Sequence, residues 1–148
     1  MTMKLDLNNA LKQAMLDKDE TRKNTLRMLL TAIKLAEVEK GSELDDASIF
    51  SLVHKEIKMR KETIEGAQKA GRQDLISQSE AEITVLELFL PKMMSPDELS
   101  VLVKSVIDEV GASNLADTGK VMKALMPKVQ GRAPGDQVSQ MVRSLLQG

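Results

Sequence analysis

The chain has 148 residues, 42% of them hydrophobic and 29% charged, and a formal net charge of −1. That is enough for one or two small folded domains and too little for a large cleft between big lobes. The absence of cysteine excludes disulfides, thiolate zinc sites and a cysteine nucleophile, and with only Phe50 and Phe89 as aromatics the core must be built from aliphatic side chains and the ten methionines.

Helical period runs through nearly every segment, and alternation with period two through almost none. The first segment carries Asp6 and no long apolar run, so it does not read as a secretory signal. No segment approaches the roughly 20 apolar residues of a membrane span, and the expected compartment is the cytoplasm. Leu7, Leu11 and Met15 define one face of a first helix. After the charged break Asp17–Glu20, a second stripe runs Leu26, Leu29, Leu30, Ile33 and Ala36, and closes near Gly41. Asp45 or Asp46 caps a third helix with Ile49, Val53, Ile57 and Ile64 on one face, stopping between Gly66 and Gly71. Leu75, Ile76, Ile83, Leu86 and Leu90 mark a fourth, ended by Pro91.

Leu90 to Met94 is read as a joint. Ser95-Pro96-Asp97-Glu98 then predicts a capping box, with Ser at the N-cap, Pro at the first helical position and Glu at the third. The fifth helix carries Leu99, Val103, Val106, Ile107 and Val110 and stops at Gly111. Val121, Met122, Leu125 and Met126 mark a sixth, broken at Pro127; Val138, Met141, Val142, Leu145 and Leu146 mark the last. The fold class is all-α: a four-helix N-terminal part with two long helices, residues 1–92, followed by a compact three-helix C-terminal domain, residues 93–148.

The candidate binding residues lie in that C-terminal part. From Asp117 to Arg143 stand five basic and two acidic residues, a balance of +3 in a chain of −1. Lys120 and Lys123 are three apart on one helix face. Lys128 and Arg132 follow beyond Pro127, and Arg132 precedes the last helix, whose free N–H groups suit a phosphate. Arg143 lies two to three turns further on. Gathered basic charge on small helices is a footprint for a polyanion; the alternative is a solvated helix face. With no aromatics interleaved, base stacking is not expected, and binding would read backbone and shape.

Other motifs read as structure. His54, the one histidine, has no cysteine or convergent carboxylates to make a zinc site. The run His54–Lys61 reads as an exposed helix on which Glu56 pairs with Arg60 and Glu62 with Lys58. Glu80, Glu82, Glu87, Asp45 and Asp46 read as caps and solvated faces. The glycines fit no phosphate-binding loop. Met122, Met126 and Met141 read as a core stripe, with an adaptable partner groove as the alternative.

Taken together, Glu80-Ala81-Glu82-Ile83, Leu90-Pro91, Gly111-Ala112, Gly119-Lys120-Val121-Met122-Lys123, Pro127 and Gly131-Arg132 resemble the YqeY family across essentially the whole chain, the early stretch Arg22–Lys40 included. The chain is also similar to the tail domain of the B subunit of glutamine-dependent tRNA amidotransferases. Phe89 stands where that pattern favours Tyr, and Thr118 where it favours Met. The resemblance implies an accessory module associated with tRNA or another structured RNA, held by Lys120, Lys123, Lys128 and Arg132 with Arg143 peripheral. It also carries the label of carbon–nitrogen ligase activity with glutamine as amido-N-donor, although the nucleotide-binding and glutamine-hydrolysing modules of such enzymes are larger than this chain. No catalytic residue, cofactor or metal is expected. The alternative is a protein–protein adaptor in a larger complex, docking through the long N-terminal helices or the methionine face.

Overall fold

The computed structural model describes residues 2–147. Among the described residues there are α-helices and one 3₁₀ turn and no strand. The chain divides between Leu90 and Pro91 into two compact units.

The first unit holds α1 (Met3–Leu16), α2 (Glu20–Lys40), α3 (Asp46–Ala70) and α4 (Gln73–Glu87). Side-chain oxygens cap three of these helices: Thr2 takes the Leu5 N–H, Asp19 that of Arg22 and Asp45 that of Ser48. Asp46, the other candidate cap, instead accepts from the Met3 N–H at 3.2 Å. Gly41 and Gly71 close α2 and α3 with φ of 80° and 68°, a conformation other residues adopt only at a cost. The core gathers Leu7, Leu26, Leu29, Ile33, Ile49, Val53 and Leu86 from all four helices.

Three expectations shift. The buried face of α1 runs Met3, Leu7 and Ala14, and Met15 is 49% exposed, because the small Ala14 rather than its neighbour meets the core. Leu75 is exposed on the first turn of α4, beyond the reach of the core. Most consequential, Arg60 is not on an outer face. It falls three residues after Ile57, in register with the core stripe of α3, and is 6% exposed. Its Nη1 donates to Glu56 Oε2 at 2.7 Å, as expected from the i,i+4 spacing, but its Nε donates to Glu82 Oε1 of α4 at 3.0 Å. Glu82 is thereby committed to an ion pair rather than to solvent, and Gln78 supports its second oxygen at 3.0 Å.

The second unit holds α5 (Pro96–Val110), a 3₁₀ turn (Leu115–Asp117), α6 (Thr118–Val129) and α7 (Gly135–Gln147). Val103, Val106, Val121, Leu125, Val129, Val138 and Val142 are all fully buried, an aliphatic core in which Met122, Met126 and Met141 pack as partly buried members. Pro127 does not break α6, which continues to Val129. The ring removes one ladder bond within the last turn, and the burial of Val129 draws that turn into the core. Gln130 then ends the helix at φ 53°.

The first unit offers two tests. Arg60→Ala leaves Glu56 and Glu82 facing each other in a half-buried site and lowers stability by on the order of 3 kcal/mol. With no Trp or Tyr in the chain, urea unfolding followed by circular dichroism at 222 nm measures it; a change below about 0.5 kcal/mol contradicts the burial. The second test concerns pH. Bonds from the Ser48 hydroxyl and then the Ser48 N–H hold the Asp45 carboxyl below its usual range. A depressed folded value means a contribution that is complete above the unfolded pKa of about 3.9 and is lost as pH falls through the lower folded value. Asp45→Asn keeps a capping side chain, so the stability gap between the two proteins should narrow as acid is added, and a constant gap contradicts it.

Candidate functional site

The second unit carries seven basic and six acidic residues, so its positive charge is local, not general. Where each cation sits is set by the α6 register. Val121, Leu125 and Val129 are buried on one side, and Lys120 and Lys123 fall on the other, exposed to solvent. Neither makes an ion pair among the described residues. Asp117, six residues before Lys123 in the chain, accepts from the Ser113 N–H at 2.9 Å. That bond first, then one from Asn114 and the charge of Lys120, holds the Asp117 carboxyl below its usual range. Asp117 is thus fixed as an anion in the turn that launches α6. Thr118, in place of the expected Met, donates its hydroxyl to Leu115 O at 2.6 Å and tightens the same turn.

Lys128 and Arg132 are placed differently. Lys128 lies on the last turn of α6, not beyond a break, and its Nζ meets Glu109 Oε2 of α5 at 2.7 Å. Arg132 is a fastener. Its Nε donates to Lys92 O at 2.8 Å, its Nη2 meets Glu98 Oε2 at 3.2 Å, and its own carbonyl accepts from the Met94 N–H at 2.8 Å. This ties the 91–95 segment to the α6–α7 loop. It also changes the predicted capping box. Ser95 accepts from the Glu98 N–H at 3.1 Å, but the Glu98 carboxylate turns to Arg132 instead of back to the Ser95 N–H. The cation competes for the same carboxylate and wins with a charge-assisted bond. Spacing within a local motif carries no sign of a partner 34 residues away.

Arg143 is exposed on α7 and makes no ion pair among the described residues. Beside it, the first turn of α5 and one side of α7 enclose a groove of about 390 Å³, lined by Met94, Leu99, Gln137, Gln140, Met141 and Ser144 among others. None of its lining residues is titratable, so the groove offers packing and amide or hydroxyl hydrogen bonds but no acid–base pair. Met122, Met126 and Met141 all pack against the core, as the core-stripe reading has it, and Met141 alone of the three also lines this groove. Among the described residues no group of three His, Asp or Glu side chains is placed to hold a metal.

Comparison with known proteins gives a consistent picture. The family model described as Yqey-like protein matches residues 4–146. The chain is 36% identical over 112 residues to "Altered inheritance of mitochondria protein 41, mitochondrial" of Lachancea thermotolerans, covering 74% of this chain and 60% of that protein. It is 33% identical over 109 residues to the protein of the same name from Vanderwaltozyma polyspora, covering 72% and 59%. The Eremothecium gossypii protein of that name is 31% identical over 111 residues, covering 73% and 61%. The chain thus spans about three-fifths of the length of these relatives. Their names assign them to mitochondria, not to the cytoplasm expected from the sequence. Among the described residues no helix is long and apolar enough to cross a membrane. The match over residues 4–146 carries the conclusion: this chain belongs to the YqeY family.

Proposed function

We propose that the protein is an RNA-associated accessory module, akin in role to the tail of a tRNA-dependent amidotransferase, that holds RNA backbone through Lys120, Lys123 and Arg143. The observation that carries this reading is the division among the five basic residues. Lys128 and Arg132 are ion-paired with carboxylates of their own unit, whereas Lys120, Lys123 and Arg143 are exposed and make no ion pair among the described residues, Lys120 acting on Asp117 only at longer range. Cations without a partner lose least on meeting a phosphate, since no ion pair has to be broken. Lys128 contributes at longer range, and Arg132 acts by holding the α6–α7 loop in place.

Both aromatic residues, Phe50 and Phe89, belong to the first unit, so the second offers phosphate contacts without base stacking. tRNA is the RNA class that the family resemblance points to. The carbon–nitrogen ligase label then describes assemblies this module accompanies, with the chemistry supplied by other chains.

Binding to bulk tRNA by fluorescence anisotropy, between about 50 and 200 mM salt, tests the reading. The Lys120→Ala/Lys123→Ala/Arg143→Ala protein should lose affinity and about one unit of salt slope per lost contact. Arg132→Ala should instead lower the stability of the second unit by about 1–2 kcal/mol, the range for a charge-assisted bond partly open to solvent. Unchanged affinity and slope in the triple variant would sink the proposed site.

A further inference from the structure

The second helix is apolar on two sides. Leu26, Leu29 and Ile33 are buried in the core of the first unit. On the other side, Leu35 and Val38 are 65% and 73% exposed, with Thr31 also exposed in the same row; Met28 at its head is 54% exposed while its sulfur lies 3.8 Å from Arg60 Nη2 of α3. A surface helix ordinarily has one apolar stripe and a polar outer face. Single exposed apolar side chains need no account, but a row of them does. Helix propensity does not supply one, since β-branched Val38 and Thr31 are both poor choices for an exposed helix.

The spacing is specific. Met28, Thr31, Leu35 and Val38 follow a 3-4-3 step, the a-d-a-d order of two heptads, over about 15 Å of helix. On that register Lys34 falls at a g position and Glu39 at the e position five residues on. Both are exposed, and neither makes an ion pair among the described residues. In a parallel pair of helices the g residue of one meets that following e residue of the other.

We propose that the outer face of α2 is a self-association surface, on which a second copy of this chain packs its own α2 in parallel. Leu35 and Val38 meet their counterparts across a two-fold axis, and Lys34 of each copy pairs with Glu39 of the other. Charge selects this orientation. An antiparallel copy would bring the flank carrying Arg27 and Lys34 against the same basic flank, cation against cation. The contact is small, Leu35 and Val38 with the exposed part of Met28 from each copy, so the pair belongs at the weak end of protein association.

The lack of any cysteine in the chain makes a clean test available. Thr31→Cys places one thiol on the axis of the parallel pair, and its disulfide dimer should form in a glutathione redox buffer at least roughly tenfold faster than that of Lys12→Cys, an exposed position on α1. Adding Lys34→Glu should set the new carboxylate against Glu39 of the other copy and remove most of that advantage. Adding Lys34→Glu together with Glu39→Lys should restore it. Equal rates at the two cysteine positions, or a faster reaction with Lys34→Glu alone, would overturn the proposal, the latter by showing an antiparallel or different pairing. Circular dichroism of each variant confirms that these exposed substitutions leave the fold intact. None of them touches Lys120, Lys123 or Arg143, so this inference and the RNA reading stand or fail separately.

Discussion

In the second unit one arginine fastens the entering segment to the bundle. A chain that enters a helical bundle as an extended segment brings backbone groups that no helix satisfies. Here Arg132 meets that need from three directions: its carbonyl takes the Met94 N–H, its Nε fills Lys92 O, and its Nη2 holds Glu98 in the first turn of α5. The loop between α6 and α7 is thereby fastened to the start of α5. The packing of Val121, Leu125 and Val129 against Val103 and Val142 then sets the α6 register. Lys120 and Lys123 face solvent as a consequence of that packing.

Arginine does the corresponding work in the first unit. Arg60 is buried and joins Glu56 and Glu82 across α3 and α4. The fork geometry of a guanidinium lets one side chain engage two carboxylates and a backbone carbonyl at once, as Arg60 does with Glu56 O at 3.1 Å. In each unit, therefore, an arginine ties elements together, and in the first unit Lys4 does the same by pairing with Glu37 of α2 at 2.7 Å, whereas Lys128 with Glu109 is an exposed pair. An exposed lysine with no such pair gives up little structure when it meets a phosphate. That difference separates the cations that hold the protein together from those free to hold something else.

The helices were legible in the sequence because their signals are local. Asp45 and Ser95 cap where the pattern places them, and Gly41, Gly71 and Gly111 end helices in the left-handed conformation. The buried valines and leucines of α5, α6 and α7 fall on the predicted stripes, except Val129, which lies beyond the expected break at Pro127. What escaped was non-local or close to a boundary. Met15 and Ala14 differ by one residue of register. Pro127 is tolerated because its helix ends two residues later. Arg60 could have been found from its position in the core stripe of α3, since a charge in that register demands a partner. That Glu82 is the partner depends on how α4 returns along α3, and no local spacing encodes it. Of the candidate site, the sequence displays the five cations, but their division into ion-paired and unpaired members rests on Glu98 and Glu109, which pair with Arg132 and Lys128 from another helix.

The central claim is that RNA meets this protein on the solvent side of α6 and on α7, over a loop held by Arg132. Amide chemical-shift mapping of the ¹⁵N-labelled protein during titration with bulk tRNA tests it most directly. The account predicts shifts concentrated at Gly119 to Lys123 and around Arg143, fading as salt rises, with the interior of α3 undisturbed. Shifts confined to the first unit, or none at low salt, would contradict it.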